Sequence, residues 1–314
     1  AAPQCIEVLT CHLWEARSAA ANLLGKLGDK APAAAGPELA KRLADTNAGV
    51  CMAAATALKQ MPTHAAAAAP LLVELLQHES WNARCAAAGV LGSLGERAPA
   101  AAAPELARMI TDPHMSEAAA EALVQMGQHA ASAVPELVAL LTHEASAIRT
   151  IATEVLGRWG AIAPDLATPV VPDLLGRLTD STLVVRNAAA TALRNLGQED
   201  AAISQLVAFL SHCDEEIRRA SVDLLGKLGD TPSAVAAAVP ALLRSLCDEC
   251  EEVSSAAASS LEHFGAAVVE AAPEVMELLT HKVAWARRSA VEVLGSLGKL
   301  APAAAAPELV KRLA

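Results

Sequence analysis

LGKLGDKAPAAAGPELAKRLA occupies residues 24–44 and LGSLGKLAPAAAAPELVKRLA occupies residues 294–314; the two agree at sixteen of twenty-one places. Each reads as a Leu-Gly-x-Leu-Gly phrase, an Ala-rich linker, a Pro and a short amphipathic stretch. A phrase that returns 270 residues later signals internal repetition, which decides the fold before any single element does. Aligning the chain on the second Gly finds Gly28, Gly95, Gly127, Gly160, Gly197, Gly229, Gly265 and Gly298, with Pro62 at the missing place, at intervals of 32 to 37 residues.

Each interval has one grammar. A Pro opens the first stretch at Pro37, Pro70, Pro104, Pro135, Pro172, Pro240, Pro273 and Pro307. Pro costs little in a first helical turn, where its missing N–H has no intrahelical partner, and a following acid suits the helix N-terminus. A turn follows, then a second stretch of the type ARCAAAGVLGSLG (83–95) with Leu and small residues on one face. Gly just past its end can take the left-handed cap. The expectation is a helix–turn–helix pair per interval.

The pattern xVRxxAAxALGxLG after a Pro-started helix and an Asp-containing turn resembles HEAT repeats. Val185-Arg186, Ile148-Arg149 and Ile217-Arg218 match that family's apolar-Arg step, and Asp45, Asp112, Asp180 and Asp248 match its turn Asp. The resemblance covers essentially the whole chain. It implies an all-α fold: a right-handed α-α superhelix of about nine and a half repeats of about 33 residues, with residues 1–314 as a single solenoid. It says little about function, since such arrays serve unrelated roles.

The repeats alternate. LGxLG or its variant marks only odd repeats, at 24–28, 91–95, 156–160, 225–229 and 294–298. The turn position reads Cys11, Asp45, His78, Asp112, His143, Asp180, His212, Asp248, His281, and an Arg stands eleven before the Gly in every odd repeat (Arg17, Arg84, Arg149, Arg218, Arg287) but in only one even repeat, at Arg186. The duplicated cassette is therefore a pair of repeats, about 67 residues long. Ladder contacts are expected between each turn Asp and a neighbouring Arg: Asp45 with Arg17 or Arg84, Asp112 with Arg84 or Arg149, and so on through Asp180, Asp248 and Arg287. As mostly exposed pairs they would contribute about zero to 1 kcal/mol each and serve to fix register.

Composition bounds the function. The 314 residues are 54% hydrophobic yet hold no Tyr, two Phe and four Trp, so Ala, Leu and Val must build thin, closely spaced helices. A net charge of −11, with no basic patch or stacking aromatics, argues against nucleic acid. No apolar run is long enough to span a membrane, and the Ala tracts are cut by Pro32, Pro70, Pro104 and Pro302. Seven Cys without regular spacing argue against a disulfide framework and for a reducing, intracellular compartment. The chain has no initiator Met and stops after the first helix of a tenth repeat. The expectation is an internal stretch of a longer array, continued by more repeats or covered by a capping partner at that end.

Four groups are candidate sites. HEAT-type arrays include a metal-dependent hydroxylase family built on His-Glu pairs, which His78-Glu79 and His143-Glu144 superficially match. They lie in turns, however, and two repeats apart is about 20 Å at ordinary helix spacing, whereas shared ligands need bonds of about 2 Å. His standing in for the turn Asp is the simpler reading. HCDEE (212–216) and CDECEE (247–252) place His212, Cys213, Cys247 and Cys250 in adjacent turns, either as a zinc or redox group or as solvated turn thiols. The same turns collect Asp214, Glu215, Glu216, Asp248, Glu249, Glu251 and Glu252, an edge that attracts a basic partner or simply keeps the rod soluble. Trp14, Trp81 and Trp285 near the start of second helices are interface anchors or plugs between stacked repeats.

No GxSxG, GxxxxGK[ST] or HExxH motif occurs, and no cofactor is implied. The function expected is a non-catalytic scaffold, a subunit of a multi-protein complex. It would present the positions six before each Gly (Asn22, Thr56, Gly89, Glu121, Glu154, Thr191, Asp223, Ser259 and Glu292) on its second-helix side. The alternative is an accessory of the HEAT-like lyase type that attaches chromophores to light-harvesting proteins, which this chain is similar to in its short Ala-rich units.

Overall fold

The structure, a computed structural model, describes residues 2–228, 231–302, 307 and 310. It is all-helical; among the described residues no strand forms. Gly229 and the first helix expected after Pro307 lie outside the described residues. The chain forms two compact units, Ala1–Val170 and Val171–Ala314.

In the first unit, first helices α1 (Ala2–Val8), α3 (Ala35–Arg42), α6 (Ala69–Leu75), α8 (Ala102–Met109) and α10 (Val134–Leu140) alternate with second helices α2 (Trp14–Leu27), α4 (Ala48–Gln60), α7 (Trp81–Leu94), α9 (Ser116–Met126) and α11 (Ser146–Ile162), while short α5 (Pro62–Ala67) and α12 (Pro164–Ala167) lead into the following first helices. In the second unit the first helices are α13 (Val171–Gly176), α15 (Glu199–Phe209), α17 (Pro232–Ser245) and α20 (Ala272–Leu278), with short α19 (Ala266–Glu270) before the last. The second helices are α14 (Leu183–Asn195), α16 (Glu215–Leu228), α18 (Glu251–Glu262) and α21 (Ala284–Ser296). Second helices stack on second helices: α2 on α4, α4 on α7, α7 on α9 and α9 on α11, and then α14 on α16, α16 on α18 and α18 on α21.

Leu and Ala fill the layer between the two rows. Leu24, Leu39, Leu58, Leu72, Leu91 and Leu106 in the first unit, and Leu193, Leu206, Leu225 and Leu242 in the second, are fully buried. With so few aromatics the helices must come close, and the first Gly of LGxLG shows how close. A Cβ on Gly25 would lie 2.9 Å from the Ala57 Cα, one on Gly92 2.8 Å from the Ala122 Cα, and one on Gly226 2.8 Å from the Ser260 Oγ. The second Gly does a different job: Gly28, Gly95 and Gly298 end their helices at φ +57°, +55° and +53°, a left-handed conformation open to Gly without strain.

Two expected boundaries move. Gly160 is not a helix end: α11 runs through it to Ile162 and stops only before Pro164, whose ring disfavours a helical residue ahead of it. Pro240 does not open a helix but lies inside α17, which begins at Pro232. There the Thr231 hydroxyl accepts the Ala234 N–H at 3.2 Å, a cap that starts the helix eight residues upstream of the expected Pro240. The Pro residues at 37, 70, 104, 135, 172 and 273 do sit at the second or third position of their helices.

Candidate functional site

The turn edge is built from one recurring device. In even repeats the turn Asp accepts the backbone N–H two residues on: Asp45 from Asn47 at 3.0 Å, and Asp112, Asp180 and Asp248 from His114, Thr182 and Cys250 at 2.9 Å each. In odd repeats His does the same through Nδ1: His78, His143, His212 and His281 accept from Ser80, Ala145, Asp214 and Val283 at 3.0–3.3 Å. The ring must then carry its proton on Nε2. His is an Asp substitute here because both present an acceptor at the same reach from the backbone.

Six residues after each odd turn residue, the Arg reaches back. Nη1 of Arg17, Arg84, Arg149, Arg218 and Arg287 donates to the carbonyls of the turn residue and its successor at 2.8–3.3 Å. The rest of the guanidinium faces the next repeat. Nε and Nη2 of Arg17 meet both oxygens of Asp45 at 2.7 Å, Arg84 Nη2 meets Asp112 at 2.9 Å, and Nε and Nη2 of Arg218 meet both oxygens of Asp248 at 2.9 Å. Each Asp among these pairs with the Arg of the repeat before it. The self-clamping half of the device was not anticipated, although the constant six-residue spacing from turn to Arg carried the signal.

These pairs are not the mostly exposed contacts that turn residues suggest. The Arg17 and Asp45 side chains retain 12% and 4% of their exposure, and Arg218 and Asp248 retain 7% and 11%. Close stacking of Ala-faced helices brings the turns together and covers them. Burial alone would raise the Asp45 pKa, but hydrogen bonds from Arg17 and the Asn47 N–H outweigh it and hold the carboxyl below its usual range. The Asp112 carboxyl is also lowered, chiefly by the His114 N–H and then by Arg84. The Arg17 and Arg218 pKa values move up, chiefly through their hydrogen bonds to Asp45 and Asp248.

The Trp residues divide by one position of register. Trp14 and Trp81 stand three residues before their Arg, at the first position of α2 and α7, and are 46% and 53% exposed. Trp285 stands two before Arg287, rotated by one helical step, and its Nε1 donates to the Asp248 carbonyl at 3.0 Å, so it is tied to the preceding repeat. Trp159 is fully buried, with Nε1 donating to the Leu123 carbonyl at 3.1 Å.

The acidic edge is largely engaged within the chain. Asp248 is in the grip of Arg218, Asp214 accepts the Glu216 N–H at 2.9 Å, Glu216 pairs with Arg219 at 2.8 Å, and Glu251 pairs with Arg288 at 2.6 Å. Glu249 lies 3.5 Å from Arg218, and Glu215, Glu216, Glu251 and Glu252 occupy the first turns of α16 and α18, where helix dipoles favour anions.

The proposed ligand quartet is not drawn together. His212 Nδ1 is committed to the Asp214 N–H at 3.0 Å, Cys213 Sγ lies 4.0 Å from that nitrogen, and Cys250 Sγ donates to Glu252 at 2.9 Å. Burial raises the Cys247 pKa and the Glu252 hydrogen bond raises that of Cys250, both away from the thiolate a metal requires. Among the described residues no three His, Cys, Asp or Glu side chains form a metal cradle. His78 and His143, as turn acceptors, are likewise occupied.

On the second helices, Asn22, Thr56, Glu121, Glu154, Thr191, Ser259 and Glu292 are exposed, while Gly89 and Asp223 are half-buried. Burial raises the Asp223 carboxyl above its usual range. Met52, 71% exposed, shares a face with Thr56, and Val184, 57% exposed, shares one with Thr191. No described helix is long and apolar enough to cross a membrane.

Stacked helix pairs with a ladder of turn contacts define a class, the helix-pair solenoids. The HEAT-repeat family model matches residues 36–123, 69–157, 171–260 and 203–295. These matches cover well over half of the chain, and the protein belongs to the HEAT-repeat family. No curated protein is similar enough in sequence to match. Among solved structures, Kap121p bound to Nup53p superposes with a TM-score of 0.64 at 15% identity, over 95% of this chain and 37% of that one. Kap121p bound to Ste12p gives 0.64 at 15%, over 100% and 39%. Kap95p, from a structure concerned with RanGDP, gives 0.59 at 13%, over 98% and 47%. The chain thus spans less than half the length of these karyopherins, and at such identities the likeness is one of fold, a fold typical of protein-binding scaffolds.

Proposed function

We propose that this chain is a non-catalytic scaffold that holds other proteins, as a subunit of a larger assembly. One observation carries this reading: in a chain with four Trp, two are about half exposed at equivalent positions one cassette apart. Exposed Trp in a repeating frame is what interface anchors look like, since a large rigid aromatic contributes more to binding than other side chains of its area. Neither Trp14 nor Trp81 has a hydrogen bond from its indole N–H to a described residue, unlike Trp159 and Trp285. At two helix spacings, about 20 Å, the pair would grip an extended segment rather than a small molecule.

The test is affinity capture from the natural source with the native chain and with a Trp14→Ala, Trp81→Ala variant. A protein retained in fixed stoichiometry by the native chain and lost with the double variant, whose melting is unchanged, is the expected result. Equal retention by both removes the Trp pair as the anchor.

A further inference from the structure

Arg186 breaks the alternation in the ladder, and its surroundings give the break a use. It is the single even-repeat Arg at the ladder position; Cys51, Ser116 and Ser254 stand there in the other even repeats. Its Nη1 donates to the Asp180 carbonyl at 2.7 Å, the same anchorage, six residues back, that orients Arg17, Arg84 and Arg218. In those three, the remaining edge of the guanidinium meets an Asp of the following repeat. After Arg186 the following repeat presents His212, whose Nδ1 already accepts the Asp214 N–H at 3.0 Å. Asp223 of α16 is near enough to feel the Arg186 charge, but Arg186 Nε is buried and has no hydrogen-bond partner among the described residues, an arrangement that is costly for a guanidinium unless a partner is supplied.

The space beside it is a cleft of about 510 Å³ between the turn at 179–183 and the start of α16, lined by Arg186, Leu183, Ile217, Arg219, Asp214 and Glu216 among others. Its carboxylates have other duties: Asp180 accepts the Thr182 N–H at 2.9 Å and lies 3.6 Å from Arg177, Glu216 is held by Arg219 at 2.8 Å, and Asp214 accepts the Glu216 N–H at 2.9 Å. They leave the rim acidic while Arg186 supplies a cation deeper in. We propose that Arg186 and this cleft form a docking site for a carboxylate flanked by cations, the chemistry of a Glu or Asp between basic residues in a partner segment. The ligand carboxylate takes the place that Asp45 holds on Arg17, and the flanking cations face Asp214 and Glu216. Only the source of the carboxylate rests on the scaffold reading; binding at Arg186 can fail while the array still holds a partner at Trp14 and Trp81.

The experiment follows the Arg186 Nε–H resonance by NMR during titration with three probes: a capped tripeptide of Glu between two Lys, the same peptide with Gln, and sodium acetate against sodium chloride at equal ionic strength. The Glu peptide should shift the resonance saturably, about fivefold more tightly than acetate, as two screened rim pairs allow, and the Gln peptide and chloride should leave it in place. His212→Asp should fill the position from within, shifting the resonance without ligand and abolishing the response; Arg186→Gln should lose peptide binding measured by calorimetry. Equal responses to the Glu and Gln peptides, or an undiminished response in His212→Asp, would overturn the site. A response to acetate with no tighter binding of the Glu peptide would overturn the peptide-borne source.

Discussion

Replacing Gly92 by Ala and, separately, Gly295 by Ala puts the same methyl at the same place in two copies of LGxLG, and the two should move stability in opposite directions. Ala in a helix interior is favoured over Gly by about 1 kcal/mol. At Gly295 no described atom lies within 4 Å of the new Cβ, so that gain should appear whole. At Gly92 the Cβ would sit 2.8 Å from the Ala122 Cα and 2.8 Å from the Gln125 Oε1. The Gln side chain can swing aside, but a backbone carbon can retreat only if α7 and α9 part along their whole contact. Ordinary carbon separations are about 3.5–4.0 Å, and overpacking of this kind costs about 1–3 kcal/mol. Taking the upper half of that range, because backbone must move, Gly92→Ala should lose about 1–2 kcal/mol net. The two variants should then differ by about 2–3 kcal/mol. Urea unfolding followed by circular dichroism reads this difference directly. If Gly92→Ala stabilises as much as Gly295→Ala, the close approach of second helices within a cassette is wrong.

The other expectations concern the ladder, the turns and the aromatics. Asp45→Asn leaves Arg17 half-buried against a neutral amide and should cost about 2–3 kcal/mol, below the range for fully buried pairs, in the same urea assay. Because the folded Asp45 pKa is lowered, its contribution is complete above the unfolded carboxylate value of about 3.9 and drains away as pH falls through the folded one. The native urea midpoint should therefore fall more steeply than that of Asp45→Asn as pH drops toward 3. His143→Asp should be tolerated within about 0.5 kcal/mol, whereas His143→Leu removes the acceptor for the Ala145 N–H and should cost up to about 1 kcal/mol; equal melting of the two would refute the acceptor role. Trp159→Ala should cost about 3–5 kcal/mol, while the Trp14→Ala, Trp81→Ala pair leaves thermal melting nearly unchanged.

The fold was legible because period and punctuation agree: Gly at positive φ and Pro in the first turn mark the ends of nearly every helix pair. It misled where punctuation had another use. Gly160 is followed by three residues before Pro164, enough to let α11 continue, and the residue motif alone does not reveal this. Pro240 is preceded by Thr231-Pro232, a stronger start signal than the Pro itself. Of the candidate site, the Arg and Asp positions could be read from the two-repeat alternation, but their burial could not, since it depends on how near Ala-faced helices bring neighbouring turns. Proximity to a helix start groups Trp14, Trp81 and Trp285, yet a single step relative to Arg287 sends Trp285 backward, while Trp14 and Trp81 stay half exposed.

The joints between second helices are of two kinds. Inside a cassette, α2 to α4, α7 to α9 and α16 to α18 share one design, a Gly seated on its neighbour and an Arg–Asp rung at the turn. Between cassettes no two joints are alike. The α4 to α7 joint has a Cys51 thiol 3.8 Å from the Asn82 carbonyl, α9 to α11 has the Trp159 indole, α14 to α16 has Arg194 on the Lys227 carbonyl, and α18 to α21 has Ser254 against Ser289. Mechanically, these three cassettes repeat one joint design, while the joints between cassettes within each unit differ one by one. Substitutions at α4–α7, α9–α11, α14–α16 and α18–α21 are therefore expected to change local pliancy one joint at a time, whereas the same substitution in α2–α4, α7–α9 and α16–α18 should have the same effect in each.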